Sequence, residues 1–232
     1  MSAPGLSIVI PAYNEERRLP ATLARVAAYL APRGDGAVEL LVVDDGSEDD
    51  TAAIARTAGA RVLVHAQNRG KGAAVRTGVL AARGARVLVC DADLATPIEE
   101  LPRLEAALDA GADLVVGSRH VARARVEVPQ PWTRRVLGAT FRAMVRVALD
   151  LPVRDAMCGF KLLRRETGQA VLPDMRIDRF AFDLELVALA HRGGWRVAEV
   201  PVTWRHVGGS TVSPGRDGLR AARDLVALRL RR

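Results

Sequence analysis

The chain has 232 residues, of which 49% are hydrophobic and 26% are charged. This length and composition suit a globular chain with a sizeable core and exclude a disordered one. The net charge of +7, from 34 basic and 27 acidic residues, favours an anionic partner. An aromatic content of 4% argues against nucleic acid as that partner, because such surfaces interleave basic and aromatic side chains.

Cysteine usage and apolar patterning indicate the compartment. Two cysteines cannot form a disulfide framework, which is typical of a reducing cytosol. The segment from Met1 to Leu6 has neither the basic region nor the apolar stretch of a signal peptide. No window approaches the ~20 apolar residues that cross a bilayer. We therefore expect a cytoplasmic protein, either free or peripheral on the cytoplasmic face of the membrane.

The first half alternates short β-branched runs with helical patterns. Strands are predicted near 6–11, 38–43, 60–64, 85–90 and 113–117. Helices are predicted near 15–30, 49–58, 71–82 and 98–109. This succession predicts an α/β fold with a mainly parallel central sheet and helices on both faces. No repeat or linker divides it.

The second half is less regular. In chain order we predict a loop over 120–131, a helix over 132–149, a strand over 159–164, a helix over 179–191, short strands over 195–204 and a last helix over 215–232. The first of these helices has Val136, Phe141, Val145 and Ala148 roughly on one side. The last has Leu219, Ala222, Val226 and Leu230 at helical spacing. Both are rich in arginine, which fits either a solvated face over a packed stripe or an interfacial helix attracted to anionic lipid.

Acidic pairs end two of the predicted strands. The motif Asp91-Ala92-Asp93 follows the apolar run 87–90, and Asp44-Asp45 ends the run 40–43. The carboxyl edge of parallel strands is where open α/β sheets bind ligands. Two oxygen ligands one residue apart suit Mg²⁺ or Mn²⁺, which substrate phosphates then complete. Asp44-Asp45 either caps the next helix or binds ribose hydroxyls.

Two further segments follow strands. Strand one ends in Pro11-Ala12-Tyr13-Asn14-Glu15, which lacks the glycines of a dinucleotide turn or a P-loop. Its ring, amide and carboxylate could stack on and hydrogen-bond a nucleobase; alternatively this is a plain turn with Asn14 as helix cap. The segment 68–72 begins a helix whose free N–H groups, with Lys71, favour an anion, although glycine-rich helix starts are common.

In their order along the chain, these segments resemble glycosyltransferase family 2. The motifs that carry the resemblance are Ile10-Pro11-Ala12-Tyr13-Asn14-Glu15, Val43-Asp44-Asp45-Gly46-Ser47, Asn68-Arg69-Gly70-Lys71-Gly72-Ala73 and Asp91-Ala92-Asp93. The resemblance runs from about Leu6 to Arg229 and implies a single domain of the GT-A type over residues 1–232. It implies a nucleotide-sugar-binding half at about 6–117 and an acceptor-binding half, with a basic C-terminal helix, at about 118–232.

The resemblance also implies site residues. Those implied to bind the nucleotide sugar are Pro11, Ala12, Tyr13, Asn14, Glu15, Asp44, Asp45, Lys71, Asp91 and Ala92. Asp91 and Asp93 are implied as the ligands of Mg²⁺ or Mn²⁺.

Later segments of the chain indicate which branch of this family it resembles. Residues 117–119, 155–161, 182–186 and 209–225 resemble the polyprenyl-phosphate sugar transferases. The acidic motif with its following residues is nearer the dolichyl-phosphate glucosyltransferase type than the mannosyl type, which has Gln at the position of Ala95. The implied donor is UDP-glucose, with GDP-mannose next, and the implied acceptor is a polyprenyl or dolichyl phosphate. Ala95 removes a third metal ligand, and Thr211 stands where the family often has Lys.

We predict an inverting hexosyl transfer in which Asp93, Arg119 and Asp183 are the catalytic candidates. The acceptor phosphate would be held by Arg119, Arg134, Arg135 and Lys161. A phosphate monoester is already an anionic nucleophile, so it needs no strong base. A hydroxyl acceptor would need one, and Asp183 matches the position where alcohol-using relatives place it; otherwise Asp183 is an acid at a helix N-terminus.

The sequence lacks the motifs that two alternative enzyme functions would require. A sugar-nucleotide pyrophosphorylase needs a glycine-rich loop with Arg after strand one, and a polysaccharide synthase would show Gln-x-x-Arg-Trp with membrane spans. Neither motif occurs in this sequence. The non-enzyme alternative is a protein that binds an anion or a membrane surface without turnover.

Overall fold

The computed structural model describes residues 4–33, 38–129, 131–208 and 214–231. The strands are β1 (Leu6–Ala12), β2 (Val38–Asp44), β3 (Arg61–Val64), β4 (Arg86–Val89), β5 (Leu114–Ser118), β6 (Arg125–Val128), β7 (Lys161–Arg164), β8 (Val197–Pro201) and β9 (Thr203–Arg205). The α-helices are α1 (Leu19–Leu30), α2 (Thr51–Thr57), α3 (Lys71–Ala81), α4 (Leu101–Asp109), α5 (Trp132–Ala148), α6 (Arg165–Val171), α7 (Phe182–Arg192) and α8 (Pro214–Leu230).

The main sheet has, across the described residues, seven strands in the order β3-β2-β1-β4-β7-β5-β8. Neighbouring strands are parallel except at β7, which runs antiparallel to β4 and to β5. The mainly parallel sheet is thus confirmed. The direction in which successive strands are added reverses between β1 and β4, the kind of switch point at which parallel sheets bind ligands.

Apolar strands and close helix contacts form the core. Every residue of β1 is buried, so both faces of the sheet are covered, as expected of a parallel strand with a continuous apolar run. Helix α3 packs closely on the sheet at Gly78, where a Cβ would lie 2.4 Å from the side chain of Val9. This contact fixes the position of α3 and therefore of Lys71 at its start.

Parts of the second half differ from the sequence predictions. The predicted loop over 120–131 contains β6, which pairs with β9 in a separate small sheet. Its four residues are all exposed, so its stability comes from that pairing and not from a buried apolar pattern. Helix α6 was not predicted, because seven residues give too short a window for a helical period.

The buried stripes of the two arginine-rich helices also differ from prediction. In α8 the buried residues are Ala221, Leu225 and Leu228, whereas Val226 and Leu230 are exposed. In α5 Val145 is buried but Val136 is exposed. The predicted stripe of α5 is confirmed at Phe141, Val145 and Ala148 and is wrong at Val136. That of α8 is wrong at Val226 and Leu230, because apolar residues lie on more than one face of the helix, and the side chain of Leu219 lies outside the described residues. Within the described ranges, no helix is both long and apolar enough to span a bilayer.

Candidate active site

The ends of β1, β2 and β4 meet at one edge of the sheet. Ala12 pairs with Asp44 across β1 and β2, and the N–H of Asp45 donates to the Ala12 carbonyl at 2.8 Å. On the other side of β1, the N–H of Cys90 donates to the Val9 carbonyl at 3.1 Å. The two acidic motifs therefore flank the end of β1, as the order of parallel strands requires.

Asp91 and Asp93 lie beside Lys71 in this edge. The Nζ of Lys71 is 2.5 Å from the Oδ1 of Asp91, and Asp93 accepts a hydrogen bond of 3.0 Å from the Ala95 N–H. Burial, and after it the charge of Asp91, raises the pKa of Asp93. Burial also raises the pKa of Glu15, with Asp93 and Asp91 adding to the effect and Arg18 opposing it. This concentration of carboxylates favours a bound cation, which would relieve their mutual repulsion.

Two carboxylates, those of Asp91 and Asp93, are available to coordinate a cation at this edge of the sheet. Among the residues that the structure describes, no group of three or more His, Cys, Asp or Glu side chains is placed to hold a metal ion. The pair of Asp91 and Asp93 fits a hard divalent cation only if phosphate oxygens and water complete its coordination. Such an arrangement needs a ligand with phosphates.

Gly159 packs directly against the carboxylate of Asp91. A Cβ at Gly159 would lie 2.2 Å from the Oδ2 of Asp91, so only glycine lets the carboxylate occupy this position. A small cavity beside it is lined by Asp91, Ala95, Thr96, Gly159, Phe160 and Trp204. Sequence reasoning missed this role of Gly159, although the residue lies within a segment quoted for its family resemblance.

The loop after β1 is tied to the loop after β2. The N–H of Asn14 donates to Ser47 Oγ at 2.9 Å, and Asn14 Oδ1 accepts from the Glu48 N–H at 2.9 Å. Asn14 has a positive φ of 53°. The helix-cap alternative for Asn14 is wrong, because α1 begins after Arg18 and the Asn14 side chain is engaged by the other loop. Glu15 binds Arg18 through both carboxylate oxygens, each at 2.6 Å.

The two acids that end β2 have different surroundings. Asp44 accepts a hydrogen bond from the Ser47 N–H at 3.0 Å. Asp45 accepts from the N–H groups of Arg69 and Gly70 at 3.0 and 2.7 Å, and it lies 2.6 Å from His65. Both oxygens of Asp45 are bound by these backbone N–H groups, so its carboxylate holds the start of α3 in place and is not free for a ribose. Its predicted contact with the nucleotide sugar is not supported by this position.

Lys161 and Asp183 form a buried ion pair between β7 and α7. Lys161 Nζ also donates to the Cys158 carbonyl. Burial raises the pKa of Asp183, and the charges of Lys161 and Lys71 oppose that shift. The predicted contact of Lys161 with an acceptor phosphate is therefore corrected: its ammonium is enclosed by protein groups. Asp183 is both at the helix N-terminus, as one prediction held, and beside Lys71.

Arg119 binds Asp155 in a bidentate manner. Its Nε and Nη2 donate to the two carboxylate oxygens of Asp155, each at 2.8 Å, and its backbone N–H donates at 2.9 Å. Its guanidinium lies 5.3 Å from the centroid of the Trp204 ring, which lines the cavity beside Asp91. Burial alone would lower the pKa of Arg119, yet the bonds and charge of Asp155 raise it. Arg119 is thus a permanent cation near the strand ends.

The two remaining predicted phosphate ligands are in α5. Arg135 is exposed in the first turn of α5, and the side chain of Arg134 is outside the described part of the chain. Gly209, Ser210 and Thr211 are also outside it. Trp204 and Asp155 were not singled out as site residues from the sequence, because their positions depend on contacts between distant segments.

Comparisons with known proteins agree with this geometry. The model of Glycosyl transferase family 2 matches residues 7–169. A dolichyl-phosphate beta-glucosyltransferase of Drosophila melanogaster is 37% identical over 243 residues, covering 97% of this chain and 74% of that protein. The enzyme of the same description from Dictyostelium discoideum is 34% identical over 244 residues, with the same two coverages. The crystal structure of glucosyl-3-phosphoglycerate synthase from Mycobacterium tuberculosis with uridine diphosphate has a TM-score of 0.69 at 25% identity, covering 98% of this chain and 79% of that one.

Proposed function

Because this chain belongs to glycosyl transferase family 2, we propose that it transfers glucose from UDP-glucose to the phosphate of a polyprenyl or dolichyl phosphate, with inversion at the anomeric carbon. The observation that carries the proposal is the cluster of Asp91, Asp93 and Lys71 at the switch point between β1 and β4. The names of the relatives support glucose and a dolichyl phosphate. Uridine diphosphate in the structure with 25% identity supports a uracil base.

In this proposal Asp91 and Asp93 hold Mg²⁺ or Mn²⁺, which would neutralise the charge that develops on the leaving diphosphate. Lys71, at the N-terminus of α3, lies where a phosphate of the donor would meet its ammonium. The N–H groups of Gly70 and Ala73 at this helix start are already bound by Asp45 and by the Asp178 carbonyl, so the ammonium supplies the contact. The loops 11–15 and 44–47 bind the nucleoside, since they border the same edge and fix each other through Asn14.

The acceptor phosphate is its own nucleophile, so no side chain has to remove a proton from it. Arg119 has the position for an electrostatic role, because it is a half-buried cation between Asp155 and Trp204. Asp183 then acts through its ion pair with Lys161, as a positioning residue for the elements around Lys71.

A lipid acceptor also requires contact with a bilayer, and α5 offers a surface for it. We name the outer face of α5 the set of exposed apolar residues Trp132, Val136, Leu137, Met144 and Val147. Trp132 is 74% and Val147 87% exposed, and Leu230 of α8 is 79% exposed. Arg135 and Arg146 flank this face. Apolar residues with arginines beside them suit the interface of an anionic membrane.

Turnover tests the main proposal. The full chain is mixed with labelled UDP-glucose, Mn²⁺ and a polyprenyl phosphate, and the lipid product is separated and its anomeric configuration determined. We expect a β-linked glucosyl phospholipid and faster transfer from UDP-glucose than from GDP-mannose. No lipid-linked sugar from either donor would contradict the proposal.

Sedimentation with vesicles tests the membrane contact. Val147→Glu should reduce binding to vesicles of phosphatidylcholine and phosphatidylserine. The control is Val64→Glu, which places the same charge at a 50% exposed valine on β3 and should leave binding unchanged. Equal sedimentation of both variants and the unmodified chain would contradict a role for the outer face of α5.

A further inference from the structure

A cavity of about 190 Å³ lies between α5 and the segment that follows it. It shares no residue with the small cavity beside Asp91. Its volume is several times the ~30 Å³ that one water takes up in the liquid, so it can receive part of a larger ligand. Much of its wall is apolar, formed by Phe141, Val145, Leu149, Val153, Met157 and Leu184.

Cations outnumber available carboxylates in the same wall. Arg142, Arg146 and Arg154 line the cavity, together with the acids Asp150 and Asp155. Both oxygens of Asp155 are engaged by Arg119. The three arginines therefore face one remaining acid, and the cavity is positively charged as well as apolar.

Arg142 is the most informative of these residues. It is half-buried, and among the described residues its guanidinium forms no hydrogen bond or ion pair. Burial lowers the pKa of Arg142; Asp155 nearby opposes this shift and Arg119 adds to it. Because Arg142 is only half-buried, its guanidinium still reaches solvent and is available to a ligand. An anion bound in the cavity would form charge-assisted hydrogen bonds with it.

The cavity is connected to the strand-end site through one segment of chain. Residues 153–157 line the larger cavity, and Gly159 and Phe160 line the smaller one. Asp155 holds Arg119, whose guanidinium stacks over Trp204 in the wall of the smaller cavity. The segment 153–160 therefore borders both cavities.

We infer that this cavity receives the acceptor: Arg142 binds the phosphate of a prenyl phosphate, and Phe141 and Val145 contact the isoprene units next to it. The identity of the ligand rests on the proposed function. Its chemistry follows from the wall, because an apolar cavity with an unpartnered arginine matches an anion that carries an apolar tail. A nucleotide sugar is polar throughout and matches it poorly.

The outer face of α5 supports the same inference. With 3.6 residues per turn, Phe141, Val145 and Leu149 lie on the side of α5 opposite Val136 and Val147. One side of the helix thus lines the cavity while the other meets solvent. A lipid held in the cavity would leave it beside an exposed apolar surface.

Calorimetric titration of the full chain with farnesyl phosphate, without any donor, tests the inference. Farnesol and inorganic phosphate are titrated in parallel to separate the tail from the charged end. Arg142→Gln removes the charge, and Val145→Trp fills the cavity. Arg56→Gln, at an exposed residue of α2, is the charge-matched control. UDP binding and the melting temperature report whether each variant is folded.

We expect farnesyl phosphate to bind more tightly than farnesol or inorganic phosphate. Arg142→Gln should weaken its binding about tenfold or more, since a charge-assisted hydrogen bond is lost. Val145→Trp should weaken it similarly, and the control should not change it. Equal binding by the unmodified chain and both cavity variants would overturn the inference, as would inorganic phosphate binding as tightly as farnesyl phosphate. Loss of farnesyl phosphate binding in both variants, with no glucose transfer by the unmodified chain, would refute the proposed function and leave this site standing.

Discussion

The ammonium of Lys71 lies 2.5 Å from the Oδ1 of Asp91, which joins the start of α3 to the end of β4. Burial alone would lower the pKa of Lys71, yet Asp91 and then Asp183 raise it. Lys71 is therefore a cation at all working pH values. It balances Asp91 in the absence of ligand and can turn to a phosphate of the donor when a divalent cation takes the carboxylate.

Replacement of Lys71 tests this role. Lys71→Met should raise KM for UDP-glucose about tenfold or more, because a charge-assisted contact with the donor is lost. Initial rates over a range of donor concentrations measure it. Arg83→Met removes a cation whose side chain is 68% exposed and should leave KM unchanged. An unchanged KM in Lys71→Met would contradict a donor contact.

A methyl group at position 159 tests whether Gly159 is needed to keep the Asp91 carboxylate in place. In Gly159→Ala the new Cβ would lie 2.2 Å from the Asp91 carboxylate, so Asp91 must move. A displacement of about 1 Å at a reacting centre can cost ~100-fold, and we expect kcat/KM to fall by about that factor. Gly218→Ala is the control, since a Cβ there meets open space on α8. That control should keep its activity and gain about 0.5–1 kcal/mol in unfolding free energy.

Acid should destabilise the fold through Asp155. Burial favours the neutral acid, but the hydrogen bonds and charge of Arg119 prevail and hold the pKa of Asp155 below its ordinary value of 3.8. Below pH ~4 the unfolded chain takes up a proton at this position while the native state does not, so the unfolding free energy falls as the pH drops toward the native pKa.

Asp155→Asn should remove this component and make the unfolding free energy less steep in pH below ~4. At neutral pH it should cost about 3–5 kcal/mol, because Arg119 loses its buried partner. Urea denaturation from pH 3 to pH 7 measures both effects. An unchanged slope below pH 4 would show that Asp155 titrates alike in the two states.

Variants of Lys161 and Asp183 distinguish a positioning role of Asp183 from a role as a general base. Asp183→Asn leaves Lys161 buried without its partner and should cost about 3–5 kcal/mol of stability. Adding Lys161→Met removes the buried charge and should restore most of that loss. We expect the double variant to glucosylate a prenyl phosphate at a rate near that of the unmodified chain. A folded double variant that fails with this acceptor would contradict the view that Asp183 only offsets the buried charge of Lys161, while failure with a hydroxyl acceptor alone would indicate that Asp183 acts as a base.

The strand-end residues could be predicted because each directly follows an apolar run, and parallel strands bring such positions to one edge. Asp44, Asp91 and the loop at Asn14 lie together for this reason. Partners of the second half could not be predicted in the same way. The contacts between Arg119 and Asp155, and between Lys161 and Asp183, depend on where β7 inserts between β4 and β5. That antiparallel insertion leaves no local pattern in the sequence.

Asp45 illustrates a different limit. Its neighbour Asp44 is also an aspartate at the end of the same strand, so the sequence does not distinguish the roles of the two residues. The structure does, because the alternation of side chains along β2 turns Asp45 toward His65 and the N–H of Gly70.

Donor binding with and without metal tests the central claim most directly, namely that Asp91 and Asp93 grip a divalent cation together with the diphosphate. UDP is titrated calorimetrically into the chain and into Asp93→Asn, in Mn²⁺ or in EDTA. For the unmodified chain we expect Mn²⁺ to tighten UDP binding about tenfold or more, and for Asp93→Asn we expect Mn²⁺ to have little effect. If UDP binds the unmodified chain equally well in EDTA, or if Mn²⁺ tightens binding to Asp93→Asn by the same factor, the claim is contradicted.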